Sequence, residues 1–287
     1  MAPQLVIPSK TFTLLSIGQR GVGKTVFLAG SCAHLLERRD PSQLLWFESK
    51  DGDSRKQIDK ILEYMARTGE YPPATAAVST FQFSLKCRSA LGTRTLCHFR
   101  WQDIPGEICH VLDPAFRQMI LTSNGCCTFL DAEALLEREG YLLEEAAGVI
   151  EQVMLIANLV ALNRLQYAFT LVLTKCDRLR SQPQLAVRLD ERLQPVLAQL
   201  QVLGCHYRVF QSGMVLRAGA PVPVEATAGV DALVWLVSEV NKAHRDHWTQ
   251  TVGRWLAGLL GGGPVNQTER GALGALLASQ PSASKPH

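Results

Sequence analysis

Residues Gly18 to Thr25 read GQRGVGKT, and a glycine-rich octet of the form GxxxxGK[ST] has the chemistry to hold a phosphate chain. Gly18, Gly21 and Gly23 let backbone N–H groups crowd around an anion, and the N-terminus of a following helix adds the positive end of its dipole. In such a loop Lys24 reaches the β- and γ-phosphates, the Thr25 hydroxyl is placed to ligate Mg²⁺, and Val22 and Val26 complete the nucleotide-contacting stretch. A glycine turn that binds nothing is the alternative. The loop directly follows the apolar, strand-like run Phe12 to Ile17, which is the context the phosphate-binding reading requires.

Further along, Thr174-Lys175-Cys176-Asp177 closes another apolar run, Ala168 to Leu173. A carboxylate at the mouth of a strand can accept both N1–H and N2–H of guanine while the stem of the lysine covers the π face; adenine offers no such donor pair. A Lys and an Asp in a solvated loop would produce the same four letters. Between the two motifs, Asp103-Ile104-Pro105-Gly106 ends the strand-like stretch Leu96 to Trp101. There Asp103 can hold Mg²⁺ through water, and the Gly106 N–H can meet a γ-phosphate. The order of the three motifs carries more information than any one of them.

Taken together, the three motifs resemble P-loop GTPases of the translation-factor and Ras-like class over roughly residues 11–246. Within that class, DxPG followed by Glu107, the long segment before it and the YPPAT stretch are similar to bacterial GTPase domains of signalling or conflict systems. The resemblance implies Gly23, Lys24 and Thr25 as phosphate and Mg²⁺ ligands, Asp103 and Gly106 as metal and γ-phosphate sensors, and Lys175 and Asp177 as base readers. It also implies a switch threonine in a mobile loop. Thr75, in Tyr71-Pro72-Pro73-Ala74-Thr75, is favoured over Thr80, which falls inside the extended run Val78 to Leu85. A fourth element is expected after the strand His206 to Phe210, where backbone N–H groups beside Ser212 would meet the guanine O6.

Two residues compete for a catalytic role beside Lys24. The class often orients the attacking water with a Gln after DxxG, whereas this chain has Glu107, which accepts a hydrogen bond from water but brings negative charge towards the phosphates. A solvated switch residue is its other reading. Arg20, inside the phosphate loop, either points over the phosphates as an arginine supplied in cis or points into solvent.

Composition narrows the class. The chain has 287 residues, 47% hydrophobic and 19% charged, enough to bury a large core. A net charge of +3, with basic residues scattered and not interleaved with aromatics, argues against a nucleic-acid partner. The eight cysteines form no CxxC pair, and several lie within apolar runs, so neither a disulfide framework nor a zinc site is expected and a reducing cytoplasm is favoured. The first residues lack the basic start and apolar stretch of a secretory signal, and no apolar run reaches the length of a transmembrane span.

The elements that must position these motifs follow from periodicity. Strand-like runs alternate with helical patterns, predicting an α/β, three-layer P-loop NTPase fold: a mostly parallel sheet with one antiparallel strand and helices on both faces. The antiparallel strand comes from a hairpin turning at Ser89 to Thr93. A strand at Leu44 to Phe47 and a helix with Ile58, Ile61, Leu62 and Met65 on one face form an inserted unit near 40–70, joined by a turn and helix cap at Lys50 to Asp53. Helices are expected over Glu144 to Arg164, over Leu185 to Leu200 with a kink or split at Pro195, and over Gly229 to Ala243. The domain layout is a lead at 1–10, a GTPase domain at 11–246, an amphipathic helix at 247–263 carrying Trp248 and Trp255 on one face, and a flexible tail at 264–287.

These readings predict a Mg²⁺-dependent, GTP/GDP-binding molecular switch with slow GTP hydrolysis, acting through a protein effector or by self-association. The competing readings are a non-hydrolysing GTP-sensing scaffold whose terminal helix recruits partners, and a P-loop ATPase or kinase in which TKCD is coincidence.

Overall fold

The computed structural model describes residues 10–35, 45–73, 79–89, 92–104, 113–179, 184–213 and 227–242, all within the unit Met1–Asp246. Thr75, Gly106, Glu107, the 247–263 helix and the 264–287 tail lie outside the described residues.

Seven strands form one sheet in the order β2-β3-β4-β1-β5-β6-β7. They are β1 (Thr11–Gly18), β2 (Leu45–Ser49), β3 (Ser79–Ser89), β4 (Gly92–Asp103), β5 (Gly125–Asp131), β6 (Ala168–Thr174) and β7 (His206–Gln211). Strand β1 pairs in parallel with β4 and β5, and β5-β6-β7 continue in parallel. Among the described strands only β3 runs against the rest, antiparallel to both β2 and β4, with the hairpin closing at Ser89↔Gly92. The expected three-layer α/β arrangement with one antiparallel strand is therefore the one observed. The near-continuous burial of β1, β5 and β6 reflects their central position, where both faces are covered.

The helices are α1 (Lys24–Leu35), α2 (Gly52–Thr68), α3 (Pro114–Thr122), α4 (Ala132–Glu137), α5 (Ala147–Leu162), α6 (Gln184–Val202) and α7 (Thr227–Lys242). On one face α1 packs with α2 and α7, and on the other α5 packs with α3 and α6, with α4 against α6. Alternation along the strands divides the core between the faces. Leu15, Ile17, Cys126, Phe169 and Leu171 meet Val153, Ile156 and Val160 of α5, while Trp101 and Phe129 meet Phe27 of α1 through an aromatic cluster.

The inserted unit is β2 with α2. Asp51 caps that helix by accepting the Ser54 N–H at 2.6 Å, and Gly69, in a left-handed conformation, closes its other end. The turn and cap expected at Lys50 to Asp53 are thus in place, although of the predicted apolar stripe only Ile58 and Met65 are buried. Pro195 does not divide α6, which runs on to Val202 as one element. Leu189 and Leu193 before the proline and Val196 and Leu200 after it are all buried, so packing on both sides outweighs the backbone hydrogen bond that proline removes.

Candidate functional site

All the strand ends that matter lie on one edge. The parallel registers pair Ser16 with Asp103, Gly18 with Phe129 and Asp131 with Thr174, so the loops after β1, β4, β5, β6 and β7 emerge together. This is the carboxyl edge of the sheet, and chain order reverses around β1, the place where open α/β sheets take their ligands.

The octet after β1 turns tightly into α1. A Cβ at Gly18 would stand 2.9 Å from the Phe129 carbonyl oxygen, so only glycine lets β1 leave the sheet this close to β5. Gly21 and Gly23 also have positive φ, at 74° and 104°. Helix α1 starts at Lys24, which directs the helix N-terminus at the loop. Lys24 is 8% exposed, and its ammonium donates to the carbonyls of Gly18 at 2.8 Å and Gln19 at 3.1 Å, which folds the side chain over the loop. Val22 is buried, Val26 is half-buried, and Arg20 is exposed at the loop's crest.

Asp103 ends β4 beside Thr25. Its carboxylate is 2% exposed and accepts the Thr25 hydroxyl at 2.8 Å and the Ser16 hydroxyl at 3.3 Å. Burial pushes its carboxyl above the ordinary range, against the opposing pull of the Thr25 hydroxyl, the Lys24 ammonium and the Ser16 hydroxyl. A buried carboxylate beside a threonine hydroxyl is a set of hard oxygen donors with charge in need of compensation, and it fits Mg²⁺. No cluster of three or more His, Cys, Asp or Glu suited to a metal occurs among the described residues, and the described cysteines are all free thiols. Thr80, the less favoured switch threonine, sits in the β3–β4 ladder opposite Gln102.

The loop after β6 is equally specific in conformation. Lys175 has φ 61°, a left-handed conformation uncommon for a non-glycine residue, and Cys176–Leu179 form a 3₁₀ turn that presents Asp177. The loop after β7 packs directly against it. Cys176 donates its N–H to the Ser212 carbonyl at 3.0 Å, and the Ser212 N–H donates to Leu173 at 2.7 Å. Because the Ser212 N–H is committed to the sheet edge, any backbone donor to a guanine O6 must come from a neighbour. At Gly213 an added Cβ would lie 2.4 Å from the Asp177 nitrogen, so glycine is required for the two loops to touch. Thr174 reaches towards the phosphate loop, with its Cγ2 3.8 Å from where a Gly23 Cβ would stand.

Several residues at this edge were not singled out by motif. Asp131 ends β5, caps α4 by accepting the N–H groups of Glu133 and Ala134, and forms an ion pair with the Lys175 ammonium. Tyr141, in the connection from α4 to α5, donates to the Gln19 side-chain oxygen at 2.8 Å and accepts the Asp131 N–H at 3.0 Å. A pocket of about 460 Å³ opens beside the phosphate loop, with Gln19, Arg20, Arg138, Tyr141, Glu145 and Lys175 in its wall. The one sequence signal available was an acid, Asp131, closing the apolar run Cys126 to Leu130.

No protein-family model matches the chain, and no curated protein matches it. Among solved structures, the signal recognition particle receptor SRb-GTP/SRX complex from Chaetomium thermophilum is similar at 15% identity and TM-score 0.42, covering 79% of this chain and 97% of that one. An ADP-ribosylation factor-like GTP-binding protein, the small COPII coat GTPase SAR1 from Encephalitozoon cuniculi in complex with GDP, is similar at 13% identity and TM-score 0.38, covering 82% of each chain. No helix among the described residues is long and apolar enough to cross a membrane.

Proposed function

We propose that the chain is a Mg²⁺-dependent guanine-nucleotide-binding protein that hydrolyses GTP slowly and works as a molecular switch. The observation that carries this reading is the convergence of Lys24, Thr25, Asp103, Lys175 and Asp177, from three separate strand ends, on the carboxyl edge of one sheet. Phosphates lie against the N-terminus of α1, where the loop N–H groups and the Lys24 ammonium balance their charge. Thr25 and Asp103 would hold Mg²⁺, which when bound would offset negative charge on the phosphates. Asp177 accepts the two guanine donors, and the Lys175 stem and the Ser212–Gly213 loop close the base from either side.

Thr75 joins Thr25 and Asp103 as a metal ligand in this proposal and the Gly106 N–H meets the γ-phosphate, so that the segments bearing them respond to GTP against GDP. Arg20 is the residue of the loop placed to stabilise charge on the transferring phosphoryl group, with Glu107 the candidate to orient water. The kinship to bacterial signalling or conflict-system domains is likewise proposed, on the DxPG-Glu107 and YPPAT stretches alone. A protein effector or a second copy of the chain is the proposed recipient of the switch, and the cytoplasm its proposed setting.

The test is single-turnover phosphate release from GTP with Mg²⁺, for the wild type and Arg20→Ala. Slow release in the wild type that falls at least about tenfold in the variant supports the assignment of Arg20. Equal rates remove the arginine from the account, and no release at any enzyme concentration contradicts hydrolysis.

A further inference from the structure

We propose that Tyr141 is a positioning residue that ties the phosphate-binding loop to the base-reading loop, so that its hydroxyl governs how long a guanine nucleotide stays bound. The inference rests on the reading of the site given above and extends it to a residue outside the motifs.

The tie is a continuous chain of polar contacts. At one end the Lys24 ammonium donates to the Gln19 carbonyl at 3.1 Å. The Gln19 side-chain oxygen accepts the Tyr141 hydroxyl at 2.8 Å, and that hydroxyl accepts the Asp131 N–H at 3.0 Å. The Asp131 carboxylate then pairs with the Lys175 ammonium at the other end. One phenol therefore stands between the lysine of each loop. Neither loop is anchored to the other by sequence, since 122 residues separate Gln19 from Tyr141.

The phenol is itself rigidly held. Tyr141 is 2% exposed, its N–H donates to the Arg138 carbonyl at 3.2 Å, and its carbonyl accepts the Ala146 N–H at 2.8 Å. Gln19 is gripped a second time, because its side-chain N–H donates to the Glu145 carbonyl, and the Glu145 carboxylate is bound by Arg138 at 2.5 Å. Burial, ahead of the neighbouring Asp131 and Glu145 charges, raises the Tyr141 hydroxyl to about 12, so it remains a donor throughout the range in which the protein works. A buried donor–acceptor hydroxyl used on both sides is expensive to remove, since both partners are left unsatisfied.

The experiment measures release of N-methylanthraniloyl-GDP from the wild type, Tyr141→Phe, Gln19→Ala and the double variant, alongside thermal melting without nucleotide. Phe keeps the ring and removes only the hydroxyl. Each single variant is expected to release the nucleotide roughly tenfold faster, and the double variant well short of the product of the singles, because both cut the Gln19–Tyr141 bond. A merely structural role lowers the melting temperature but leaves release unchanged, and that result overturns the inference. So does a double variant whose acceleration is the product of the singles. Should Tyr141→Phe not fold, Gln19→Ala, at a half-buried loop position, carries the test alone through the same tenfold change. A wild type that binds no guanine nucleotide overturns the reading of the site itself, whereas normal wild-type binding with unchanged release in the variants overturns only the tie.

Discussion

The Thr25 hydroxyl donates to the Asp103 carboxylate at 2.8 Å across 78 residues of sequence. The contact joins the first turn of α1 to the end of β4 and places two oxygen donors side by side next to the buried Lys24 ammonium. Asp103→Asn keeps the shape and removes the charge. It should abolish the Mg²⁺-dependent part of nucleotide affinity, roughly 100-fold, because a neutral amide is a poor ligand for a hard cation. Without nucleotide the same variant should be at least as stable as the wild type, by up to about 1 kcal/mol, since a buried and incompletely paired charge has gone. Titrations with Mg²⁺ and with EDTA, together with urea unfolding, measure the two effects.

Asp177→Asn exchanges the acceptor pair proposed to read guanine for a group that also donates. Guanine nucleotides should bind roughly 100-fold more weakly, and xanthine nucleotides, which carry an oxygen where guanine has its amino group, should bind better than they do to the wild type. Equilibrium competition with GDP and XDP reports both directions. An unchanged ratio of the two would show that the carboxylate does not touch the base.

Gly213→Ala forces a Cβ to within 2.4 Å of the Asp177 backbone nitrogen. The loops must separate, at a cost of about 1–3 kcal/mol in stability. Nucleotide binding should weaken as well, because the loop that moves carries Asp177, the proposed base reader. Thermal melting with and without GDP checks the prediction, with a smaller GDP-induced rise expected in the variant.

At the far edge of the sheet, Glu239 provides a pH-dependent contribution to stability. Burial alone would raise its carboxyl, but the His206 hydrogen bond at 3.0 Å and the Lys242 ion pair outweigh it and hold the group below its ordinary value of 4.5. A carboxylate depressed in the folded state contributes stability above its unfolded value and loses it as pH falls through the folded one. Glu239→Gln should therefore cost about 1–2 kcal/mol at pH 7, with the two stability curves converging as the pH falls below the ordinary carboxyl value of 4.5 and through the lower folded one. Urea unfolding between pH 3 and pH 7 shows whether they do.

The parts of this site that were legible in the sequence are those whose chemistry is local. GQRGVGKT carries its own backbone requirements, and TKCD and DIPG each close a recognisable apolar run, so their placement at strand ends followed from periodicity. The alternation that predicted the β3–β4 hairpin was equally explicit, with the turn falling between Ser89 and Gly92. Tyr141 was not legible, because it sits in a connection without periodicity and acts through Gln19, a variable position of its motif. Asp131 was hidden for a related reason. Its role depends on β5 lying beside β6, a pairing that only the folded sheet displays. Pro195 shows the opposite limit, where a strong local signal for interruption yielded to buried leucines on either side.

The central claim is that one carboxyl edge grips a triphosphate and recognises guanine. Equilibrium competition of GTP, ATP and XTP against a fluorescent GDP, in the presence of Mg²⁺, tests it most directly. The account predicts that GTP displaces the probe at least about 100-fold more effectively than ATP or XTP, a discrimination of the size that two unmatched base donors or acceptors impose. Displacement by ATP as effective as by GTP would contradict it.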